Sequence, residues 1–425
     1  MKPATNPHVT PWHWIPTLYF IQGLPYVTLN STAPVMYKLL GVGNAEMAFF
    51  TSWLSLPWVI KPLWSPLVEI LGAKRFWIVT TQFVCGAALA CVALALPGPD
   101  FFKYSLAFFW LIAFSSATHD IAADGFYLLA LREGEQAFFV GIRSIFYRVA
   151  MIAGQGLMVI LAGYLSHQMP ASRAWMFTLG AVAVLLALAA AWHVWRLPRP
   201  AGDVVTQRTL EEVIREFWAV FVQFFKRKQI LLILAFLLLY RIGEAQLVKI
   251  VPAFLLDARE DGGLGLTAEQ QGLIYGTIAL GGLILGGIAG GILISRFGLK
   301  RMLWWMIAAI NLPNFSYVLL ALWQPEQHWI TAALVTLEQM GYGFGFTAFM
   351  MYLVYISQGP YQTAHYAIGT GFMALGMLIP GMFSGVLQER LGYFLFFLLA
   401  SLVTILPAVL ALWIPLDPDF GKQKT

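Results

Sequence analysis

Charged residues are scarce in this sequence. Lys, Arg, Asp and Glu make up 11% of its 425 residues, whereas a soluble domain carries about 25%. Hydrophobic residues account for 59%, and they fall in runs of roughly twenty, the length of a membrane-spanning helix. The short alternating segments of a transmembrane barrel are not found. The sequence therefore predicts an all-α, multi-pass membrane protein.

Features of catalytic and cofactor sites are also missing. The two cysteines, Cys85 and Cys91, share one apolar segment and are expected to lie in the core. No pair of histidines or cysteines has metal-ligand spacing, and no Gly-x-x-x-x-Gly-Lys-Ser/Thr loop occurs for nucleotide phosphates. No nucleophile stands beside a general base. We therefore expect no metal, no cofactor and no enzymatic activity.

Long apolar runs predict twelve transmembrane helices. Their approximate limits are 13–36, 46–68, 75–97, 103–131, 138–166, 172–197, 229–257, 267–295, 301–323, 328–356, 361–388 and 392–415. If both termini lie in the cytoplasm, most of the 26 Lys and Arg residues fall on the cytoplasmic side, as the positive-inside rule requires. The net charge of +5 thus reflects membrane topology, and no nucleic-acid partner is expected.

The chain is divided by a polar interval, residues 198–228, into two halves, residues 1–197 and 229–425. Alternating acidic and apolar residues after position 210 predict an amphipathic helix on the cytoplasmic surface. The loop after helix 2 contains Gly72-Ala73-Lys74-Arg75, and the corresponding loop of the second half contains Gly298-Leu299-Lys300-Arg301. Two six-helix bundles in parallel repeat are typical of the major facilitator fold, which binds its substrate between the halves.

Segment 117–125 places the first charges inside an apolar run. Asp120 and Asp124 are four residues apart and share a helix face, with His119 beside the first. Ionisable groups are costly in a membrane, so each one indicates a partner or a function. The depth of each residue along its helix places three cations near these acids, namely Lys61, Arg143 and Arg148.

Two interpretations of these charges remain open. In the first, a charge network locks or gates the N-terminal bundle. Its candidate members are Asp120, Asp124, Arg143, Lys61, Glu69, Lys74 and Arg75. In the second, the cluster binds an anionic substrate or carries protons. Close opposite charges stabilise each other's ionised forms, which favours the structural interpretation, whereas the surplus of positive charge keeps anion binding open.

A second group of charges lies in the C-terminal half. Arg241 and Glu244 share a face of helix 7, and Glu338 lies at a similar depth in helix 10. Burial favours the neutral form of a carboxyl, which suits proton exchange near neutral pH. Glu338 and Glu244 are therefore proton-coupling candidates, with Asp120 and Asp124 behind them. The alternative is a static salt-bridge triad of Arg241, Glu244 and Glu338.

Other polar residues are candidate contacts for a substrate. The set comprises Gln22 and Asn30 in helix 1, the cations Lys61, Arg148 and Arg241, and Tyr240. Lys249 is expected to extend to the outer interface, and His365 is expected to donate at a helix end. The glycines of helices 8 and 10 predict close helix packing.

These residues resemble the AmpG-type muropeptide permeases. Ile60-Lys61-Pro62-Leu63-Trp64-Ser65-Pro66-Leu67, followed by Glu69, is similar to the end of that family's helix 2. His119-Asp120-Ile121-Ala122-Ala123-Asp124 resembles its Gln-Asp-Ile-x-x-Asp segment, and Tyr147-Arg148 resembles its Tyr-Arg. Leu239-Tyr240-Arg241-Ile242-Gly243-Glu244 resembles its Leu-Tyr-Lys-Leu-Gly-Asp. One departure is Gly376-Met377 in helix 11, where an arginine is expected after the glycine.

The resemblance implies a secondary transporter that imports anhydromuropeptides with protons by alternating access. Its expected place is the bacterial cytoplasmic (inner) membrane, in peptidoglycan recycling. The implied partners are an amino-sugar peptide or other organic anion, protons and the lipid bilayer, and a monomer is expected. A transporter of another organic anion or glycoconjugate, of the acyl-coenzyme A or siderophore type, is the alternative. A non-transporting membrane receptor with this fold is a further one.

Overall fold

A computed structural model describes residues 10–131, 133–200, 202–204, 209–358 and 362–422. Within these ranges the regular structure is helical throughout. The α-helices are α1 (Ile15–Val27), α2 (Ala33–Leu39), α3 (Asn44–Trp53), α4 (Leu56–Leu71), α5 (Lys74–Ala95), α6 (Phe101–Ala130), α7 (Glu133–Ile152), α8 (Val159–Ser166), α9 (Ala171–Arg196), α10 (Leu210–Phe225), α11 (Ile230–Leu239), α12 (Ile242–Leu256), α13 (Ala268–Leu273), α14 (Ala279–Phe297), α15 (Leu299–Asn311), α16 (Phe315–Trp323), α17 (His328–Ser357), α18 (Gln362–Leu402) and α19 (Ile405–Ala411).

Helix is present in each of the twelve predicted segments, but several segments contain more than one α-helix. The π-helical turns at Thr28–Thr32, Ala153–Met158 and Ile274–Ile278 join α1 to α2, α7 to α8 and α13 to α14. Gly392 has φ 72° inside α18, and this left-handed residue separates predicted helices 11 and 12. Among the described residues, nine helices are long and apolar enough to cross a membrane. The count of twelve and the side on which the termini lie stay predictions.

The first compact unit comprises Met1–Leu40 and Ile60–Glu216. Within it, α5 packs against α6 and α9, and α1 packs against α7. Trp14, Leu18 and Phe126 lie in its hydrophobic core. At Gly23, an added Cβ would come within 2.9 Å of Ala150 Cβ, so the absent side chain is what lets α1 approach α7.

The second compact unit comprises Gly41–Val59 and Phe217–Thr425. In it, α14 and α15 pack against α17, and α3 and α12 pack against α18. Its described core contains Phe254, Tyr317 and Phe397. Segment 41–59 belongs to the predicted N-terminal half, residues 1–197, and yet it packs in this second unit. The break between α3 and α4 at Leu54 and Ser55, which the single predicted helix 46–68 did not include, lies within this segment.

Glycines of α14 and α17 sit at close helix contacts, which confirms the predicted packing role. A Cβ on Gly286 would lie 2.0 Å from the Met340 carbonyl oxygen, and a Cβ on Gly343 would lie 2.0 Å from that of Leu283. Gly291, in the same helix as Gly286, has no neighbouring heavy atom within 4 Å of an added Cβ. One helix face therefore makes the contact, and only the glycines on that face are required for it.

The amphipathic helix predicted in the linker forms as α10. Val220 and Phe224 are buried, whereas Trp218 is 54% exposed. Phe224 stacks on Phe372 of α18, with ring centroids 6.4 Å apart and an interplanar angle of 7°. One apolar face of α10 is thus held by the second unit. The position of α10 on the cytoplasmic surface stays a prediction.

Candidate functional site

The first charge cluster lies within the first unit, around Asp120 of α6. Lys61 Nζ of α4 is 2.5 Å from Asp120 Oδ2, and both side chains are about one-fifth exposed (23% and 20%). Gln22 of α1 donates from Nε2 to the other carboxylate oxygen. Asp120 thus joins three helices through an ion pair and a hydrogen bond to charged oxygen, both of which are strong interactions where water is limited.

Asp124, one helical turn along α6, binds a different cation. Arg143 Nη1 of α7 lies 3.2 Å from Asp124 Oδ1 and 3.1 Å from the Tyr19 hydroxyl. The Tyr19 hydroxyl also donates to Asp124 Oδ1, at 3.4 Å. The Arg143 guanidinium lies 4.8 Å from the centroid of the Tyr127 ring, which adds a cation–π contact. The i,i+4 spacing in the sequence therefore gives two neighbouring ion pairs on one helix face.

Of the other predicted network members, Lys74 and Arg75 begin α5. Their backbone amides donate to the Asp203 carboxylate at 2.7 and 3.0 Å, a favourable position for an acid at a helix N-terminus. The Lys74 side chain lies over Gly125, since a Cβ there would be 2.4 Å from Lys74 Cε. The Arg75 guanidinium donates to the carbonyl oxygens of Val194 and Leu197 at the end of α9.

Lys74 therefore lies at the end of segment 117–125, whereas the Arg75 side chain contacts the end of α9. The Glu69 side chain lies outside the described residues. Arg148 is half-buried on α7, in the same helix as Arg143. Asn30 lies in the π-helical turn after α1, where its amide donates to the Tyr26 carbonyl oxygen at 3.0 Å.

His119 belongs to a buried hydrogen-bonded chain that the sequence did not reveal. Gln82 Nε2 of α5 is 2.9 Å from His119 Nε2, and Gln82 Oε1 is 2.8 Å from His193 Nδ1 of α9. His193 Nε2 is 2.9 Å from the Thr17 hydroxyl. An amide nitrogen only donates and an amide oxygen only accepts, so His119 accepts and His193 donates. The hydrogen-bond partner of His119 given by this chain is therefore Gln82 of α5, which in turn connects it to His193 of α9.

The second cluster lies within the second unit, around Glu338 of α17. This side chain is 1% exposed. Glu338 Oε2 accepts hydrogen bonds from the Tyr317 hydroxyl at 2.8 Å and from Gln339 Nε2 at 3.0 Å. Glu338 Oε1 is buried and has no hydrogen-bond partner within the described part of the chain. The sequence analysis did not single out Tyr317; its one sign in the sequence is a single tyrosine in the apolar run of α16.

Glu244 lies near Glu338 and near Arg241, but the three residues do not form the predicted alternative, a static salt-bridge triad. Glu244 is 7% exposed in the first turn of α12. Electrostatic interactions relate Glu244 to Glu338, which repels it, and to Arg241, which attracts it. In the ranges that the structure describes, neither acid is within salt-bridge distance of Arg241. Arg241 instead donates to the Tyr342 hydroxyl.

Tyr240 and Arg241 differ sharply in their surroundings. The Tyr240 hydroxyl donates to the Gly345 carbonyl oxygen at 2.9 Å, and its ring stacks on Phe349 with centroids 4.8 Å apart. Tyr240 is 1% exposed, so it contributes to packing in this structure. Arg241 lies between α11 and α12, with its guanidinium 4.8 Å from the Phe346 ring centroid.

The expectation that Lys249 extends to the outer interface is wrong. Lys249 is 5% exposed, and its Nζ lies 3.4 Å from the Thr51 hydroxyl oxygen of α3. His365, near the start of α18, has Nδ1 2.6 Å from Arg227 Nη2. Arg227 lies in the loop before α11, where burial lowers the pKa of its guanidinium.

The two clusters suit different chemistry. In the first unit, Asp120 and Asp124 each take part in an ion pair, with Lys61 and Arg143 respectively. In the second unit, the buried carboxyls of Glu338 and Glu244 lie near each other, and Glu338 accepts hydrogen bonds from neutral groups. Such a pair can take up and release a proton without breaking an ion pair. The structure therefore separates the four predicted proton-coupling candidates into two kinds.

Comparison with known proteins supports the predicted family. The sequence model of the family described as Major Facilitator Superfamily matches residues 17–359. The anhydromuropeptide permease of Escherichia coli (strain K12) is 27% identical over 401 residues, which cover 93% of this chain and 77% of that protein. The putative transporter AmpG 4 of Rickettsia felis is 25% identical, with 93% of this chain and 94% of that protein covered. The predicted resemblance to AmpG-type permeases is thus confirmed.

Solved structures support the fold. A crystal structure of a D-xylose-proton symporter superposes with a TM-score of 0.70 and 10% sequence identity, covering 96% of this chain and 98% of that one. At this identity the likeness concerns the fold alone. The predicted major facilitator fold is confirmed.

Proposed function

The chain belongs to the major facilitator superfamily, and we propose that it imports anhydromuropeptides, with protons as the driving ion. It is a multi-pass protein of the bacterial inner membrane and a transporter, as the family and the relatives indicate. The choice of substrate is supported by the similarity to the Escherichia coli permease along 93% of this chain. The choice of protons is supported by one observation in particular, the buried Glu338 without a cationic partner among the described residues.

In this proposal the two units have different tasks. Asp120 and Asp124 are held by Lys61 and Arg143, so they keep α1, α4, α6 and α7 together. Glu338 carries the proton, and Glu244 tunes it by electrostatic repulsion. Muropeptides carry carboxylates, for which Arg148, Lys61 and Arg241 are the candidate partners. Of these, Lys61 already holds Asp120, so it would have to exchange one anion for another.

Uptake into proteoliposomes tests the proposal. The substrate is labelled N-acetylglucosaminyl-anhydro-N-acetylmuramyl peptide, and the imposed pH gradient is alkaline inside. We expect accumulation above the external concentration and loss of that accumulation with a protonophore. Uptake that only equilibrates would contradict proton coupling and leave the substrate in place. No uptake under either condition, beside an active control transporter, would contradict the substrate.

A glutamine at position 338 tests the proton carrier. Glu338→Gln keeps the shape of the side chain and an oxygen for the Tyr317 hydroxyl, but it cannot carry a proton. We expect proton-driven accumulation to fall to the equilibrium level, while exchange of labelled for unlabelled substrate continues. Glu326→Gln, in an exposed loop, is the matched control and should behave as wild type. Undiminished accumulation by Glu338→Gln would exclude this residue as the coupler.

A further inference from the structure

Lys249 is a buried basic side chain inside a membrane-spanning segment. It lies in α12, seven residues before the end of the helix, or about 10 Å along the axis. The residue is 5% exposed, and its hydrogen bond to the Thr51 hydroxyl is 3.4 Å long. No carboxylate in the described ranges contacts it. An ammonium group in such surroundings is costly unless a charged or strongly accepting partner is supplied.

The side chains around Lys249 leave hydrogen-bonding capacity unused. An ammonium has three N–H donors, and one of them is directed at Thr51. The Thr51 hydroxyl itself donates to the Met47 carbonyl oxygen at 2.7 Å. Next in sequence, Ser52 is 1% exposed, and its hydroxyl has no hydrogen-bond partner in the described residues. A buried cation that has a weak contact and no carboxylate partner among the described residues suits a site for an anion.

Glycines of α18 allow α3 to pack closely beside Lys249. Gly381 faces it, because a Cβ there would lie 2.8 Å from Ser52 Oγ and 3.5 Å from Lys249 Cγ. Four residues on, a Cβ at Gly385 would lie 2.1 Å from the Asn44 carbonyl oxygen. The two glycines form a stripe on α18 along which α3 packs closely. Helix α3 is thus the cover of the Lys249 side chain.

Polar contacts attach α3 to α18, and two non-helical residues connect α3 to α4. Asn44 Nδ2 donates to Gln388 Oε1 at 2.7 Å, and the Ala45 amide donates to Glu389 Oε1 at 2.7 Å. At its other end, α3 stops at Trp53, and two non-helical residues precede α4. Separation of α3 from α18 would therefore expose Lys249 without unfolding a helix.

We infer that Lys249 is the cationic centre of a binding site for a carboxylate of the transported substrate, and that α3, which carries Thr51 and Ser52, covers this site in the present structure. The identity of the anion rests on the proposed function, whereas the site rests on the contacts of these three residues. When α3 moves away, Thr51 and Ser52 move with it, and the Lys249 ammonium meets a carboxylate in place of its weak contact with Thr51. Lys249 is then a specificity-determining residue that favours anionic over neutral muropeptides.

Equilibrium binding to the purified full-length protein tests the inference. The probes are an anhydromuropeptide tripeptide with free carboxylates and the same compound with its carboxylates amidated. We expect Lys249→Met, which keeps length and removes charge, to weaken binding of the free acid about ten- to a hundredfold. Binding of the amide should stay within about twofold. Lys249→Arg should restore most of the affinity for the acid, because it restores the charge.

The outcomes separate this site from a packing role and from the proposed transport function. Lys103→Met, at an exposed helix end, is the control and should bind both probes as wild type does. Equal weakening of acid and amide by Lys249→Met, or no weakening of either, would overturn the inference. A wild-type protein that binds neither probe would contradict the proposed substrate, and the inference that rests on it would fall with it. Binding is measured without a pH gradient, so it can be interpreted even if proton-driven uptake fails.

Discussion

At the scale of the residue, the four acids inside apolar helices differ in what they face. Asp120 and Asp124 form ion pairs at 2.5 and 3.2 Å. Glu338 accepts hydrogen bonds from an uncharged tyrosine and an uncharged glutamine. A carboxylate that is paired with a cation resists protonation, whereas one that faces neutral groups in a dry place does not. Composition alone cannot make this distinction, because the partners come from other helices.

The Lys61–Asp120 pair gives a prediction on stability. Removing one partner of a poorly solvated ion pair leaves a lone charge, so Asp120→Asn should lower the free energy of unfolding by about 2–3 kcal/mol. The double variant Lys61→Met with Asp120→Asn should recover most of that loss. Denaturation of the detergent-purified protein measures both, and a double variant less stable than either single variant would contradict the prediction.

The neighbouring pair serves as the internal comparison. Asp124 is 52% exposed, against 20% for Asp120. Solvent screens an exposed pair, so Asp124→Asn should cost less, about 0–1 kcal/mol. The difference between the two aspartates would show that surroundings, and not residue type, set the strength of each pair.

At the scale of the element, helix contacts depend on which glycine faces a neighbour. Gly282, Gly286 and Gly290 recur every four residues and face α17, whereas Gly281 and Gly291 face open space. The sequence shows glycine pairs, but only the structure shows that one stripe of them makes the contact. In a membrane, such close approach replaces the hydrophobic effect as a source of helix association.

A single methyl group tests this contact. In Gly286→Ala the new Cβ would meet the Met340 carbonyl oxygen at 2.0 Å, so α14 and α17 must move apart. We expect a loss of about 1–3 kcal/mol in unfolding free energy. Gly291→Ala, on the same helix, should be neutral or stabilise by up to about 1 kcal/mol, since alanine favours helix over glycine. Thermal denaturation in detergent compares the two, and equal effects would contradict the packing role of Gly286.

At the scale of the whole molecule, segment 41–59 links two compact units. Its backbone continues through α4 into the first unit, while α3 packs on α18 in the second. We expect the transport cycle to release or strain this segment, because the chain connects it to the first unit at both of its ends. The polar contacts of Asn44 and Ala45 with Gln388 and Glu389 are where such a release would begin.

A reversible cross-link tests whether this release is needed. Asn44→Cys and Gln388→Cys, in a background without Cys85 and Cys91, place two thiols where the amides now meet at 2.7 Å. A short, reducible thiol cross-linker should abolish uptake, and reduction should restore it. Each single cysteine variant, treated in the same way, should keep its uptake. Full uptake by the cross-linked protein would show that α3 stays on α18 throughout the cycle.

The sequence by itself determined the membrane class, the helical segments and the family. Apolar runs of membrane length and the arrangement of basic residues suffice for the first two, because the bilayer imposes them on each segment separately. The motifs around Lys61, Asp120 and Arg241 indicated the AmpG-type permeases, since they are local strings. Breaks such as that between α3 and α4 were missed, because uninterrupted hydrophobicity conceals them.

Only the tertiary structure decided the partners of the buried polar groups. The pairing of Lys61 with Asp120, the hydrogen bond from Tyr317 to Glu338 and the burial of Lys249 all join residues on different helices. Helical periodicity shows which face of a helix is polar, but not which helix that face meets. The cost of burying a charge is fixed by those neighbours, so the role of each charge follows from packing.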